Sequence, residues 1–274
     1  MATPFIKYVG GKRQLLEEIR KRMPQQFNNY YEPFVGGGAV FLDIAAGHKS
    51  FINDFNTCLI NIYRQIKFNP IPLKSELDKL QNSFNSMKSD EERKKFYYES
   101  RGIYNQMLDN EEMSPASAAM MVFLNKTSFN GLYRVNKAGH FNVPFNQKKK
   151  VNLYDSDNLN EISYLLQDTI ITTGDFEKVC NSAKSGDFVF FDSPYYDTFD
   201  TYQAGGFTEE DHRRLADLYK RLTERGVYCM LTNSNTDFIK ELYSDYKVEV
   251  IPVKRMVNRD ASNRVGEEVI VINY

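Results

Sequence analysis

The stretch Phe188-Val189-Phe190-Phe191-Asp192-Ser193-Pro194-Tyr195-Tyr196 decides how the chain is read. Four consecutive apolar, β-prone residues stop at a carboxylate, a serine, a proline and two tyrosines. That is the pattern of a strand buried on both faces, delivering a polar group to its carboxyl end. Open α/β sheets place their ligands at that end. Pro194 cannot donate to a ladder and biases Ser193 toward an extended backbone, so the carbonyls here become free acceptors. An anionic acceptor, a carbonyl and an aromatic face within four residues suit a planar group that bears an exocyclic amine. A plain strand end followed by a turn has the same letters, so the rest of the chain must decide.

Working outward, residues 168–173 read as a strand that ends at Gly174-Asp175-Phe176, and Lys184-Ser185-Gly186-Asp187 turns into the opening stretch. Thr208 followed by Glu209, Glu210 and Asp211 is a helix start with a capping hydroxyl and acids in the first turn. That helix runs to about Arg225 and stops at Gly226, where residues 227–233 form another buried strand. Residues 248–254 and 268–273 are expected as two antiparallel strands, joined by a basic loop over residues 255–264.

The amino-terminal part follows the same alternation. Pro4-Phe5-Ile6-Lys7-Tyr8-Val9-Gly10-Gly11-Lys12 precedes helical spacing over residues 13–19, and a glycine turn at a helix start exposes N–H groups to a ligand. Asn29-Tyr30-Tyr31-Glu32-Pro33-Phe34 leads into Val35-Gly36-Gly37-Gly38, and Ser50-Phe51-Ile52-Asn53 ends in Asp54. Asp54 lies 18 positions beyond Gly36. A spacing of about 20 is that of a strand-loop-helix-strand unit whose second carboxylate takes ribose hydroxyls. This is a nucleoside signature and does not say which cofactor.

Between residues 57 and 168 the text turns helical. Residues 56–66, 72–86, 90–110 and 114–124 read as four helices, the last opened by Ser114 before Pro115. Then come Asn125-Lys126-Thr127-Ser128-Phe129-Asn130-Gly131-Leu132-Tyr133-Arg134-Val135-Asn136 and, after a turn, His140-Phe141-Asn142-Val143-Pro144-Phe145. Asn-Gly and Gly139 predict tight turns, with residues 132–136 and 140–143 as the short strands of a hairpin. Cations interleaved with aromatics supply what nucleic acid needs: charge for phosphate, a flat residue for a stack and an arginine fork for guanine. A solvated basic loop reads the same way by itself.

The 274 residues are 42% hydrophobic, ample for a core, and no apolar run nears the about 20 residues needed to span a membrane. With 35 basic against 36 acidic residues, a polyanion must be met by a local patch. Three scattered cysteines and three histidines argue against a disulfide framework or a metal site, so no metal and a reducing cytoplasm are expected. No signal-peptide pattern is present. The fold expected is α/β: a doubly wound, mostly parallel sheet with a helical and hairpin insertion.

In this order the segments resemble the Dam-type DNA adenine-N6 methyltransferases, over nearly the whole chain. The resemblance rests on Lys7 to Lys12, Glu32 to Gly38 with Asn53-Asp54, Asn130 to Phe145, Gly174-Asp175-Phe176 and Asp192-Ser193-Pro194-Tyr195. It implies a Rossmann-like catalytic domain over residues 1–56 and 169–274 that binds S-adenosyl-L-methionine, and a target-recognition domain over residues 57–168. It implies methyl transfer to the N6 amine of adenine in a short palindromic duplex site, GATC, by base flipping and direct in-line transfer.

Carried residue by residue, the resemblance gives Tyr8, Lys12, Phe34, Gly36, Gly38, Asp54, Asp175, Phe176 and Asp192 to the cofactor. Tyr8 stands where the family usually has tryptophan, a residue absent from this chain. Asp192, Ser193, Pro194 and Tyr195 form the catalytic tetrad, and Lys7, Phe129, Asn130, Leu132, Arg134 and Pro144 meet DNA. Ser193 departs from the usual proline; its carbonyl survives the change, while the rigidity of the ring is lost. Were Ser193 a nucleophile it would need a base, and the sequence places neither His140 nor His212 to serve. A silent or weak DNA-binding relative, an adenine methyltransferase with another site such as CATG, and a methyltransferase of RNA or protein amides are the competing readings. A monomer is expected, with a restriction endonuclease of the same site as partner.

Overall fold

The computed structural model describes residues 2–8, 10–196, 206–254 and 265–274. Its frame is one seven-stranded sheet made of β1 (Tyr30–Glu32), β2 (Ser50–Asp54), β3 (Thr169–Thr173), β4 (Phe188–Phe191), β5 (Tyr228–Ser234), β6 (Lys247–Lys254) and β7 (Val265–Ile272). The spatial order is β3-β2-β1-β4-β5-β7-β6. Only β7 runs against its neighbours: it pairs antiparallel with both β5 and β6, and every other pair is parallel.

The opening stretch behaves as its letters demand. Phe188 and Phe190 face one core and Val189 and Phe191 the other, and all four are fully buried. Burial of each is worth about 1.5–3 kcal/mol, so this strand anchors both layers. On one face lie α1 (Leu16–Arg22), the short α2 (Phe41–Ile44) and α3 (Thr57–Phe68), continuing into α4 (Pro70–Ser86), α5 (Asp90–Asp109), α6 (Pro115–Thr127) and α7 (Ser156–Leu166). On the other lie α8 (Phe176–Cys180), α9 (Glu209–Glu224) and α10 (Asp237–Leu242). This is the doubly wound α/β sheet.

Helix starts follow their caps. Asn56 accepts from the N–H groups of Cys58 and Leu59, and Ser89, Ser114 and Thr208 each close a reciprocal capping box. α4 starts two residues earlier than its letters suggest, because Pro70 occupies the first helical turn, where a missing N–H costs nothing. α7, capped by Asp155 on the Asn158 N–H, was not anticipated. The expected strands at 132–136 and 140–143 reduce to one isolated bridge, Val135 to Phe141. The expected basic loop at 255–264 and Val9 lie outside the described residues. Among the described residues no helix is long and apolar enough to cross a membrane.

The order of strands sets the site. The chain winds outward from β1 through β2 to β3, then resumes at β4 on the other side of β1 and winds outward again. The reversal between β1 and β4 leaves a crevice at their carboxyl ends, where Glu32-Pro33-Phe34 and Asp192-Ser193-Pro194-Tyr195 emerge.

Candidate active site

Asp192 follows the last residue of β4 and meets Lys12, which the 3₁₀ turn Lys12–Gln14 delivers from the amino terminus. Lys12 Nζ lies 2.6 Å from Asp192 Oδ1 and donates 2.8 Å to the Gly10 carbonyl; its side chain is 6% exposed. Thr232 of β5 donates 2.9 Å to the same Oδ1. Oδ1 therefore receives two donors and Oδ2 neither of them. Burial raises the Asp192 carboxyl above its ordinary value, while Lys12 and Thr232 pull it back down.

Tyr195 is placed from two sides. The Lys12 ammonium lies 4.7 Å from the centre of its ring, and its hydroxyl donates 2.6 Å to Glu268 Oε2 of β7. Ser193, 2% exposed, accepts 3.3 Å from Asn233 Nδ2. Asn233 Oδ1 takes the Tyr196 N–H at 3.0 Å, and Ser234 donates 2.8 Å to the Tyr196 carbonyl. Two adjacent residues at the end of β5 thus hold both ends of the loop around Pro194. Beneath it, Tyr30 donates 2.6 Å to Glu32 Oε2, and burial, reinforced by the Asp192 charge, holds the Glu32 carboxyl well above the usual carboxylate range.

The glycine turn after β1 is wedged between two tyrosines. A Cβ on Gly38, where φ is +72°, would lie 2.5 Å from the Tyr63 hydroxyl, which itself donates 2.9 Å to the Gly36 carbonyl. Gly36 rests against the Tyr8 ring on the other side, and Asn56 donates 3.3 Å to the Tyr8 hydroxyl. Asp54 accepts the Gly36 N–H on Oδ2 and the Asn56 N–H on Oδ1, both at 2.9 Å, and the Phe55 N–H also bonds this carboxylate, which still has lone pairs to offer. Burial pushes its carboxyl up to about 6. Asn53 ties the neighbouring loops together by donating to the carbonyls of Pro33 at 3.1 Å and Gly174 at 2.8 Å.

At the β3 side, Asp175 caps α8 through the Glu177 N–H and takes Arg214 Nη2 at 2.8 Å. Arg214 also reaches Glu177 at 2.9 Å and lies over the Phe176 ring at 5.1 Å. Phe34, Phe176 and Phe207 pack together at 5.3–5.9 Å between ring centres. Carboxylates with spare lone pairs and an aromatic wall suit a nucleoside with a ribose diol.

The expected DNA-contact residues gather around one turn. Asn125 donates to the carbonyls of Lys7 and Gly131 at 2.9 and 2.8 Å and accepts the Lys7 N–H at 3.0 Å. Asn130 and Gly131 both have positive φ, and a Cβ on Gly131 would lie 2.7 Å from Lys7 Cδ. Phe129 is 52% exposed, and its N–H donates to the Pro144 carbonyl at 2.8 Å. Lys7, Asn130, Arg134 and Pro144 are exposed, while Leu132 is half-buried. Arg134 Nε donates 2.7 Å to Asn142 Oδ1.

The D12 class N6 adenine-specific DNA methyltransferase family matches residues 8–258. The chain belongs to that family. It is 40% identical over 280 residues to the type II methyltransferase M1.LlaDCHI of Lactococcus lactis, spanning 99% of this chain and 95% of that protein. It is 38% identical over 287 residues to the type II methyltransferase M.MjaIII of Methanocaldococcus jannaschii, spanning 99% of each. A DNA adenine methylase of Haemophilus influenzae is 30% identical over 276 residues, spanning 98% of this chain and 93% of that protein. As a D12-class enzyme the chain is an adenine-N6 DNA methyltransferase with S-adenosyl-L-methionine as methyl donor.

Several residues of this methyltransferase site escaped the sequence reading: Thr232, Asn233 and Ser234 on β5, Glu268 on β7, Tyr63, Asn125 and Arg214. The run Thr232-Asn233-Ser234 closing an apolar strand carried the same signal as Asp192 closing β4 and could have been found by it. Glu268 could not, because only the antiparallel register that sets it opposite Ser234 brings it near Tyr195.

Proposed function

We propose that this methyltransferase modifies the adenine of a short palindromic duplex site, GATC, with a CATG-like site as the next to test, and that it draws the base out of the helix to do so. The observation that carries this reading is Asp192, held by Lys12 and Thr232 on one oxygen at the end of β4, with Tyr195 beside it. Its side chain is 17% exposed, in a crevice that an amine still stacked in a duplex does not reach.

The lone pair of an aromatic amine is delocalised into its ring and attacks poorly. Asp192 Oδ2 and the Ser193 carbonyl would each accept one of its hydrogens, which favours the pyramidal nitrogen whose lone pair is free. S-adenosyl-L-methionine, when bound, supplies a methyl group already made electrophilic by its sulfonium. The protein's task is alignment, and Lys12, Thr232, Asn233 and Glu268 fix the acceptors and the Tyr195 ring in advance. Tyr195 would stack on the extruded adenine and Pro194 would shape the loop.

The residues present fit the cofactor by their donor chemistry. Asp54 would take the ribose hydroxyls with its spare lone pairs, and Gly36, Gly38, Phe34, Tyr8 and Lys12 would surround the methionine portion. Asp175 and Phe176 would hold the adenine. Residues 1–56 and 169–274 would form the catalytic domain and 57–168 the recognition domain. There Lys7 and Arg134 would read guanines, Phe129 and Asn130 would enter or support the opened duplex, and Leu132 and Pro144 would touch a thymine methyl. The enzyme would act as a monomer on one strand at a time, paired with an endonuclease of the same site.

Transfer of labelled methyl groups to a GATC duplex tests the site chemistry. Wild-type protein should yield N6-methyladenine, and Asp192→Ala should abolish transfer with cofactor binding still measurable. Near-normal turnover by Asp192→Ala would overturn the assignment.

A further inference from the structure

Helix α5 carries Tyr97, Arg101, Asn105 and Asp109 at intervals of four, which places them in one row along the helix. Every member of that row bonds the arm 140–143. Tyr97 donates 2.8 Å and Arg101 3.5 Å to the Val143 carbonyl. Asn105 both accepts the Phe141 N–H at 2.9 Å and donates to the Phe141 carbonyl at 3.2 Å. Asp109 Oδ1 lies 2.7 Å from His140 Nε2.

The opposite edge of the same arm faces the segment that carries Arg134. The Asn142 N–H donates 3.1 Å to the Arg134 carbonyl, the Asn136 N–H donates 2.9 Å to the His140 carbonyl, and the Asn142 side chain holds Arg134 Nε. The arm therefore alternates as a strand does, with 141 and 143 toward the helix and 142 toward Arg134. A regular third strand would supply N–H and C=O partners at this edge; here side chains of a helix supply them, and the amide of Asn105 copies both groups of a neighbouring residue.

We infer that the α5 row, centred on Asn105, is the device that sets the aim of Arg134, and that Asn105 is a positioning residue for site discrimination. The arm is also held by two backbone bonds to the preceding segment and by the buried side chains of Phe141 and Val143, and the row fixes the edge that these leave open. The route is short: Asn105 fixes the backbone of Phe141, the next residue is Asn142, and Asn142 fixes the guanidinium plane. Asp109 extends the row to the exposed end, where its side chain is 60% exposed and its bond to His140 is the easiest to remove without loss of core.

This inference rests on the reading of Arg134 as a guanine fork, and the test separates the two. Relative kcat/KM is measured on a GATC duplex and on one with a single guanine pair replaced, AATC on one strand and GATT on the other, with the wild-type methylation map fixing the site first. Asn105→Ala should leave cofactor affinity within about twofold and lower the ratio of GATC to AATC rates about tenfold, the usual scale of one well-aimed base contact. In an Arg134→Ala background the same change should leave the ratio where Arg134→Ala alone puts it, because the two act as one unit. Asp109→Ala should lower the ratio in the same direction by a smaller factor, about threefold, and serves if Asn105→Ala does not fold. A lower melting temperature with both rates falling in parallel and the ratio unchanged would overturn the inference, reducing the row to plain structural support. An Arg134→Ala protein that keeps the wild-type ratio would instead sink the reading of Arg134.

Discussion

Lys12 Nζ sits 2.6 Å from Asp192 Oδ1, bringing together a residue from the first turn of the chain and one from the end of its central strand. The pair is nearly sealed from solvent, where a lone carboxylate would hold its proton. Removal of the ammonium should raise the Asp192 carboxyl further, beyond what burial already does. For Lys12→Met the acid limb of the kcat profile should move to higher pH. An unmoved limb, read by methyl transfer across pH, would remove Lys12 from the chemistry.

Asp54 gives a pH dependence of the same origin at the other end of the site. Its carboxyl is pushed up to about 6 by burial, so it takes up a proton as pH falls through that value. In the role proposed for Asp54, the ribose needs the ionised form as its acceptor. Cofactor affinity, measured by calorimetry, should weaken about tenfold per pH unit below 6 and be flat above it. Without cofactor the sign is opposite: the folded state holds this proton more tightly than the unfolded chain, so the contribution of Asp54 to stability falls as pH rises from about 4 through 6. Affinity that is constant from pH 5 to 8 would contradict the role of Asp54.

Gly38 and Tyr63 form a mutually exclusive pair. Gly38→Ala places a methyl group 2.5 Å from the Tyr63 hydroxyl at a φ of +72°. The backbone term alone costs about 1–2 kcal/mol, and the clash adds to it. Gly38→Ala should lower the melting temperature and weaken cofactor binding, and Tyr63→Phe in the same chain should restore part of both by removing the offending oxygen. No recovery in the double variant would mean that the left-handed backbone alone explains the loss.

Ser193 stands where a proline ring would give stiffness, and β5 makes up the difference through Asn233, which holds the Ser193 hydroxyl and the Tyr196 N–H. In the chemistry proposed, the carbonyl of Ser193, and not its hydroxyl, accepts from the amine. Ser193→Ala should therefore cost one modest hydrogen bond, about 0.5–1.5 kcal/mol of stability, with turnover within about threefold of wild type. Asn233→Ala should lower turnover more than Ser193→Ala, since it removes a bond at each end of the loop. A hundredfold loss in Ser193→Ala, on the same transfer assay, would make the hydroxyl a reacting group.

What could be read from the letters follows from how local each signal is. The strand at 188–191 announced itself because burial on both faces requires apolar residues in succession, and Asp54 because a strand, turn and helix fix its distance from Gly36. The partners of Asp192 and Tyr195 were silent: Thr232 and Glu268 arrive through strand order and register, and Lys12 through the packing of the amino-terminal turn, which no local pattern records. The hairpin over 132–143 shows the converse failure. Asn-Gly marked a turn, but the expected ladder shrinks to one antiparallel bridge with two backbone bonds, and side chains of α5 take the arm's other edge, where no sequence pattern announced them.

The most direct test of the central claim is a methylation map. The protein is expressed in a host without endogenous adenine methylation, and every N6-methyladenine on a resident plasmid is located by long-read sequencing. Modification confined to one short palindrome, GATC, is the result expected. Folded, cofactor-binding protein that leaves the plasmid unmodified would contradict it.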